Sequence, residues 1–306
     1  MKLLRCFLII ALFLIPSVPA EAIDSSAGTS GFQFLRVGVG SRQLALGEAA
    51  CALKEDANAI FWNPAGLAKI DSPAFSFSHN QWIAGVSQQA VAAAFPTRRG
   101  VIGAGILYLH MDELSGYGID AQGNPVKTSD FTSYDAAGIL SYSNTYKGVS
   151  YGAAVKVFQE KIENSQASGI AFDFGAINPL SDNLDIAFAA QNIGTGTRFI
   201  DKDVPLPQNF KAGLALRLLN NKLLVAADIN KPNDNGYKAG FGAEYRLNGL
   251  FALRAGYNGK DGLSDWITAG AGFTMSGWTV DYAFVPYGKL GDTHRISIST
   301  KLGSNK

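Results

Sequence analysis

Few side chains in this sequence are of the types that perform catalysis or bind metals. The 306 residues include three histidines, His79, His110 and His294, and two cysteines. His294 lies close to Asp292, an arrangement that would suit the base and the acid of a hydrolase. Such a site also requires a nucleophile beside the base, and the sequence has neither a Gly-x-Ser-x-Gly elbow nor an evident serine–histidine pairing. We therefore predict that the protein is not an enzyme and uses no metal or cofactor.

Gly-x-Gly triplets are the next candidates for chemistry, because glycine-rich turns bind nucleotide phosphates in some folds. They lie at 38–40, 103–105 and 270–272. None of them opens a helix after a strand, as a dinucleotide-binding turn does. We favour a steric role, in which glycines at alternate positions on one face of a sheet let another segment or a ligand approach closely.

The charged residues are few, and their signs balance. Lysine and arginine total 26, aspartate and glutamate total 25, and together they make up 17% of the chain. Ordinary soluble domains have roughly 25%. The sequence contains no basic block of the kind that nucleic-acid binding requires, so we expect no nucleic-acid partner.

Most of the chain alternates between apolar and polar or small residues with a period of two, which is the pattern of β-strands with one apolar face. For example, Tyr237, Phe241 and Tyr245 share one face, while Lys238 and Glu244 share the other. The pattern predicts fourteen strands, near 73–80, 86–95, 100–110, 131–143, 148–161, 168–177, 183–193, 207–218, 222–230, 236–246, 249–258, 264–275, 277–286 and 292–302.

The connections between these strands alternate between long and short. Residues 111–130 and 194–207 are long, whereas 219–221 and 247–248 are short. A transmembrane barrel has short periplasmic turns and longer outer loops, and its strands need ~9–11 residues to cross. The sequence therefore predicts an all-β, transmembrane antiparallel β-barrel in the outer membrane, in contact with lipid and with both termini periplasmic. The alternative is a soluble β-sandwich or propeller, but the chain has neither a linker between two domains nor a blade repeat.

The first residues have the features of a secretory signal. Lys2 and Arg5 precede an apolar stretch at 6–15, and small residues near Ala22 offer a cleavage site. The alternative is a short transmembrane anchor, for which the apolar stretch is short. The expected organisation is a signal peptide at 1–22, a segment at 23–72 and a barrel at 73–306. Cleavage would leave Cys51 as the one cysteine.

The segment at 23–72, which we call the hatch, does not alternate. Residues 43–53 are rich in alanine and leucine and predict a short helix or an irregular turn. A later motif with turn chemistry consists of Asn63, Pro64, Ala65 and Gly66. Large apolar neighbours such as Trp62 need cover from water. We predict that the hatch folds into the lumen as an ordered plug, with Asn63 hydrogen-bonded to backbone or wall groups. The alternative is a tail that packs against the periplasmic rim.

Charged residues of both signs fall on the strand faces that are predicted to line the lumen. They are Lys156, Glu160, Asp173, Asp185, Lys211, Arg217, Asp228, Lys238, Glu244, Arg246, Arg254, Asp281, Arg295 and Lys301. Because the signs are mixed, these residues do not form an ion-selective ring of one sign. Buried unpaired charge is costly, so we expect pairing among them and with Arg36, Arg42, Glu48, Glu55 and Asp56 of the hatch.

Motifs at the two ends of the barrel chain resemble a known family. The first is Ser41-Arg42-x-x-Ala45-x-Gly47-Glu48-Ala49, followed by Asp56-Ala57-x-Ala59-x-x-x-Asn63-Pro64-Ala65-Gly66-Leu67. The second is Val285-Pro286-Tyr287-Gly288-x-Leu290-Gly291-x-Thr293-His294-Arg295-Ile296-Ser297. They resemble the start and the last hairpin of the PorV/PorQ family, which belongs with the FadL-like outer-membrane proteins. The resemblance implies a fourteen-stranded barrel with an N-terminal hatch.

The sequence leaves three functions open. The PorV/PorQ resemblance implies a non-enzymatic role in type IX protein secretion, with secretion-system proteins as docking partners, and we favour this role. The wider FadL-like resemblance implies uptake of a small hydrophobic molecule such as a fatty acid. In that case the apolar residues of the long loops would contact the ligand, or they would only pack the loops together. These residues are Met111, Leu114, Tyr117, Phe199 and Leu206. The third possibility is a purely structural surface protein.

Overall fold

The computed structural model describes residues 26–199, 202–259 and 267–303. The predicted signal peptide at 1–22 lies outside the described residues. No helix in the described ranges combines the length and the apolar character that crossing a membrane requires.

Fourteen antiparallel strands close into one barrel, which confirms the predicted fold class. The strands of the barrel are β1 (Ala74–Gln81), β2 (Val86–Thr97), β3 (Gly100–Met111), β6 (Ser133–Tyr146), β7 (Val149–Ile162), β8 (Ser165–Pro179), β9 (Leu184–Ile193), β12 (Asn209–Leu218), β13 (Leu223–Pro232), β14 (Lys238–Leu247), β15 (Phe251–Asn258), β16 (Ile267–Met275), β17 (Trp278–Pro286) and β18 (Asp292–Lys301). β1 pairs with β18, so the sheet has no free edge.

The connections sort into two ends of the barrel. At the turn end the connections are tight, β1 begins and β18 ends. At the loop end lie the long connections 112–132 and 194–208, and each contains a short hairpin that the sequence did not predict. These hairpins pair β4 (Tyr117–Ile119) with β5 (Pro125–Lys127), and β10 (Thr197–Phe199) with β11 (Lys202–Val204).

One loop-end connection is shorter than the sequence suggested. Residues 162–167 are polar and predict an open loop, yet β7 and β8 continue their pairing as far as Ile162 and Ser165. Only residues 163–164 remain between them. The polar side chains there fit a tight turn as well as a loop, which is why composition alone did not distinguish the two.

The two faces of the wall differ in side-chain size, as the alternation predicts. Ile106, Phe188 and Phe210 are 60%, 69% and 53% exposed on the outer face. Ala171 and Ala215 are fully buried on the inner face. Successive side chains of a strand point to opposite faces, so one alternating sequence provides both surfaces. The outer surface is apolar, as in barrels that face lipid.

The hatch occupies the lumen. It contains α1 (Ser41–Ala45) and short 3-10 helices at Gln33–Arg36, Ala57–Phe61 and Pro64–Lys69. The region 43–53 is mostly irregular: α1 ends at Ala45, and the backbone amide of Cys51 donates to the Asp228 carboxylate of β13 at 2.8 Å. Buried leucines of this region form a core with inward alanines of the wall, among them Ala215.

The hatch also reaches the seam at which the barrel closes. β1 and β18 place Ser78 opposite Ser297. The Ser297 hydroxyl accepts a hydrogen bond from the backbone amide of Ser41 at 2.8 Å, and it lies 2.9 Å from the hydroxyls of both Ser41 and Ser78. The start of α1 is therefore hydrogen-bonded to the first and last strands through one hydroxyl.

Candidate functional site

Glycines in the wall make room for the hatch. A Cβ atom on Gly242 would lie 2.6 Å from the Cα of Leu46, and one on Gly256 would lie 2.5 Å from the Leu46 carbonyl carbon. A Cβ on Gly270, in one of the triplets, would lie 2.5 Å from the Cβ of Ala45. The predicted steric role of inward glycines is confirmed at these positions, and it lets the backbone of the hatch lie directly against the strands.

The motif that begins at Asn63 joins the hatch to β6 and β9, across the lumen from the glycines of β14, β15 and β16. The Asn63 side chain is fully buried and caps the 3-10 helix at Pro64–Lys69 by accepting from the amide of Ala65 at 3.0 Å. Its Nδ2 donates to the Cys51 carbonyl at 2.8 Å and to the Phe188 carbonyl of β9 at 3.2 Å. The Pro64 carbonyl accepts a hydrogen bond from the Ser143 hydroxyl of β6 at 2.6 Å.

Gly66 completes this motif through a close approach within the hatch. A Cβ atom at this position would lie 2.6 Å from the carbonyl oxygen of Leu53 and 2.8 Å from the Cβ of Ala59. The two halves of the hatch pack together at Gly66, and a larger residue there would separate them.

Glu244 of β14 is the centre of an ion-pair cluster near the turn end. Its carboxylate accepts from Arg42 of the hatch at 2.7 and 3.1 Å, from Arg246 at 3.0 Å and from Arg254 at 2.8 Å. Arg254 also donates to Asp281 at 2.7 Å. Glu244 is only 1% exposed. Three arginines thus offset the cost of burying this carboxylate, and one of them belongs to the hatch.

Other charged residues of the hatch also meet partners. Lys54 donates to Asp185 at 2.8 Å, and Arg36 forms an ion pair with Asp234 in the connection after β13. Asp56 accepts from the Gln43 side chain at 2.7 Å. Lys54 and Arg36 thus join the hatch to the barrel, whereas the Asp56 contact lies within the hatch.

Two of the singled-out residues lie elsewhere. Arg295 donates to the Gly38 carbonyl at 3.0 Å and to the Tyr287 hydroxyl at 3.2 Å, so its hydrogen bonds go to neutral oxygens. Glu48 faces a cavity between the hatch and the loop end. Arg295 thus holds the hatch backbone rather than a carboxylate.

The hatch leaves a cavity of about 450 Å³ between itself and the loop end. Apolar and aromatic groups make up much of its surface: Leu35, Val37, Val39, Phe61, Trp62, Trp82, Ile83, Leu107, Ile139, Tyr287 and Leu290. Cations also line it, namely Arg36, Lys156, Lys211 and Lys238. The Lys211 ammonium lies over the Trp62 ring at 4.5 Å from its centroid. The volume lies within the range of small-molecule sites, about 300–1,000 Å³.

Lys156 and Lys211 differ in how their charges are compensated. Lys156 forms an ion pair with Asp173 at 2.7 Å and donates to Asn192 at 2.8 Å. Lys211 is buried and, among the described residues, is in no ion pair. The alternation places Lys211 inward, but nothing in the sequence indicates its contact with Trp62, which is 149 positions away in the chain.

Of the loop residues that the sequence singled out, the four with described side chains do not line this cavity. Leu206 is buried in a cluster with Phe32 and Phe34, and Leu114 forms an isolated bridge with Phe131. Tyr117 is 71% exposed on the hairpin of β4 and β5. The side chain of Phe199 lies outside the described residues. The lining comes instead from the hatch, the wall and two shorter loop-end connections, which contribute Trp82, Ile83, Tyr287 and Leu290.

A second cavity, of about 410 Å³, lies between the hatch and the turn end. Its lining consists of Arg42, Leu53, Lys54, Glu55, Arg217, Asn221, Leu224, Arg246 and Lys301. The hatch therefore separates a cavity at the loop end, lined by apolar groups and a few cations, from a mostly charged one at the turn end.

The histidine that the sequence singled out, His294, lies outside the lumen. The Nδ1 of His294 lies 2.7 Å from the Tyr282 hydroxyl on the exposed outer face. Within the ranges that the structure describes, no group of histidine, cysteine, aspartate and glutamate residues is arranged to hold a metal ion. Cys51 is buried in the hatch, and burial raises the pKa of its thiol well above the usual range.

Comparison with solved structures places the barrel among known outer-membrane folds. The toluene transporter TbuX of Ralstonia pickettii is 16% identical, with a TM-score of 0.62 over 86% of this chain and 98% of that chain. The monoaromatic hydrocarbon channel CymD is 12% identical, with a TM-score of 0.61 over 88% and 99%. A FadL homologue from Pseudomonas aeruginosa is 13% identical, with a TM-score of 0.56 over 84% and 96%. The chain thus shares the FadL-like fold, the wider level of the resemblance that the sequence suggested.

Sequence comparison gives the family. No curated protein sequence matches the chain. Residues 18–195 match a family described as "Uncharacterised protein family (UPF0164)". Because this match covers more than half of the sequence, the chain belongs to the UPF0164 family.

Proposed function

We propose that the protein is an outer-membrane barrel that takes up small hydrophobic molecules carrying one anionic group. The observation that carries this proposal is the loop-end cavity, in which the buried Lys211 lies against Trp62 within an apolar lining. An apolar pocket with a few placed polar groups is the usual form of a small-molecule site.

The charge of Lys211 supports an anionic group on the ligand. Burying an ammonium is costly, and the Trp62 ring face compensates it only in part. The carboxylates of Asp228 and Glu48 act on Lys211 electrostatically, but neither forms an ion pair with it. A ligand carboxylate beside Lys211 would supply a direct ion-pair partner, while its hydrocarbon chain lies along Phe61, Leu107 and Ile139. Binding of such a ligand thus uses the two features that distinguish this cavity.

The outer surface supports the location. Exposed apolar side chains surround the barrel, and the closed sheet leaves no unpaired edge strand, which is what lipid requires. We place the turn end, where β18 ends, on the periplasmic side, because short turns occupy that side in outer-membrane barrels. The first described residues of the hatch lie instead at the loop end, where the Gly31 amide donates to the Pro205 carbonyl at 3.1 Å. The names of TbuX and CymD, a toluene transporter and a monoaromatic hydrocarbon channel, agree with a hydrophobic cargo.

The hatch bears on how a ligand would pass. It fills the lumen between the two cavities and is ion-paired to the wall through Arg42, Lys54 and Arg36. Passage through the lumen therefore requires these contacts to rearrange, and the resting barrel is a binding protein with its exit closed.

Paired ligands of equal chain length test the proposal. The purified barrel in lipid nanodiscs is titrated with decanoate and with decanol, using tryptophan fluorescence. Decanoate should bind more tightly than decanol. Lys211→Met should weaken decanoate binding by about tenfold to a hundredfold, since hydrogen bonds to charged groups contribute about 1.5–3 kcal/mol, and it should leave decanol unaffected. Lys147→Met, in an exposed turn, is the matched control. Equal affinity of the Lys211→Met and Lys147→Met proteins for decanoate would refute the proposal.

Protein docking in secretion is the second candidate, and one surface feature favours it. Tyr117 and Ile119, on the hairpin of β4 and β5, are 71% and 79% exposed at the loop end. Exposed aromatic and aliphatic groups at a loop tip are typical of protein contacts. The double variant Tyr117→Ser, Ile119→Ser should then reduce protein export by cells while decanoate binding persists. Export equal to that of an Asp112→Asn control would remove this candidate.

A further inference from the structure

We infer that the turn-end cavity binds a small polyanion, a phosphate ester or a polycarboxylate. This inference does not depend on the hydrophobic ligand proposed above, because the two cavities lie on opposite sides of the hatch. Five cations and one acid line the cavity: Arg42, Lys54, Arg217, Arg246, Lys301 and Glu55. Nothing apolar beyond Leu53 and Leu224 contributes to the lining.

The acids paired with these cations are buried and do not line this cavity. Asp185 accepts from both Lys54 and Arg217, at 2.8 and 2.7 Å, and is 1% exposed. Glu244 is equally buried beneath Arg42 and Arg246, and it lines an adjoining cavity together with Asp56 and Asp281. The buried carboxylates hold the cations in place, so the lining of the cavity proposed here is mainly cationic.

Unused donors remain on these cations. A guanidinium has five N–H groups, and the hydrogen bond of Arg246 to Glu244 uses its Nε. Arg246 is 53% exposed, so its terminal nitrogens are accessible. Lys301 is in none of the ion pairs formed by the described residues. Arginine forks and lysine ammonium groups that converge on one cavity suit oxyanions with several oxygens.

The size of the cavity favours a small organic ion over a macromolecule. Its volume of about 410 Å³ lies in the range of small-molecule sites. One carboxylate would engage only part of the lining, whereas two or more anionic groups would reach both the Asp185-bound and the Glu244-bound cations. Phosphate esters and polycarboxylates share this chemistry, and the test separates them.

A double variant removes two lining cations without releasing the hatch. In Arg246→Gln, Lys301→Gln, the Glu244 carboxylate keeps Arg42 and Arg254 as partners. The control is Lys147→Gln, Lys222→Gln, which removes two exposed charges from connections at the same end. Heat-modifiable gel mobility checks that both proteins are folded barrels.

Pyrophosphate and citrate are the probes, and calorimetry of the detergent-solubilised full chain measures their binding at low salt. The wild type and the control should bind at least one probe, and the tighter one identifies the phosphate or the carboxylate class. The double variant should bind it about tenfold more weakly, and salt should weaken wild-type binding because exposed charges are screened. Equal binding by the double variant and the control, or no binding of either probe by the wild type, would overturn the inference. Decanoate binding is measured in the same proteins, so failure here is distinguishable from failure of the proposed uptake function.

Discussion

At Glu244, one carboxylate accepts hydrogen bonds from three arginines and lies almost completely out of solvent. Glu244→Gln removes the negative charge and leaves Arg42 and Arg254 partly buried without full compensation. Breaking a buried ion pair by removing one partner costs about 3–5 kcal/mol. Urea unfolding of the barrel is followed by gel mobility. We expect the free energy of unfolding to fall by about this amount, so that the midpoint of the transition moves to a lower urea concentration. Glu113→Gln, at an exposed loop position, should leave the transition unchanged. A Glu244→Gln transition equal to wild type would show that the cluster does not stabilise the fold.

Cys51 reports on the hatch without any substitution. Its side chain is fully buried and burial raises its thiol pKa, so both access and thiolate formation are suppressed. We expect no labelling by a membrane-impermeant maleimide at neutral or mildly alkaline pH, and complete labelling after denaturation. The comparison is Ser181→Cys, in an exposed turn, which should label rapidly in the native protein. If Cys51 were labelled as fast as the cysteine introduced at position 181, that result would contradict an ordered plug.

At the scale of the strand, adjacent residues have opposite surroundings. Phe241 is 40% exposed on the outer face, whereas a Cβ on Gly242 would meet Leu46 of the hatch. Phe241→Arg should destabilise the barrel in lipid by about 2–4 kcal/mol, the cost of arginine near the bilayer midplane. Gly242→Ala should act by displacing the hatch, with Gly138→Ala as its control, since a Cβ there would lie 3.6 Å from its nearest neighbour.

Unfolding in vesicles and in detergent separates the two effects. The Phe241→Arg penalty should shrink in detergent micelles, where water reaches the outer face more easily, whereas the Gly242→Ala penalty should persist. Equal tolerance of arginine at positions 241 and 242 would contradict the assignment of faces.

The strands were predictable because their pattern is local. Alternation in a segment such as the one from Lys238 to Leu247 identifies both its conformation and its two faces before any partner is known. For the hatch, the sequence predicted only that its apolar side chains must be shielded from water. Its backbone groups bond to distant residues, as Cys51 does to Asp228, and no local pattern specifies such contacts. For the same reason, the pairing of Lys211 with Trp62 and the division of the lumen into two cavities emerged only from the structure.

For the whole molecule, we expect the hatch to limit conduction through the barrel. It fills the lumen between the two cavities and contacts the wall on several sides. Deletion of residues 23–70 should therefore raise the conductance of the reconstituted barrel to small ions. Planar-bilayer recordings measure this, and the full-length Gly138→Ala protein serves as a control with an intact hatch. Unchanged conductance, together with rapid proteolysis of the segment in the intact protein, would rule the plug out.

The hydroxyl of Ser297 joins α1 to the two strands that close the barrel. The Ser41 contacts to Ser297 can form only when the hatch lies in the lumen beside the β1–β18 pair. Seating of the hatch and closure of the barrel are therefore thermodynamically linked, because each adds hydrogen bonds to the other. The pairing that joins the two ends of the sheet is thus the one to which the start of α1 contributes directly.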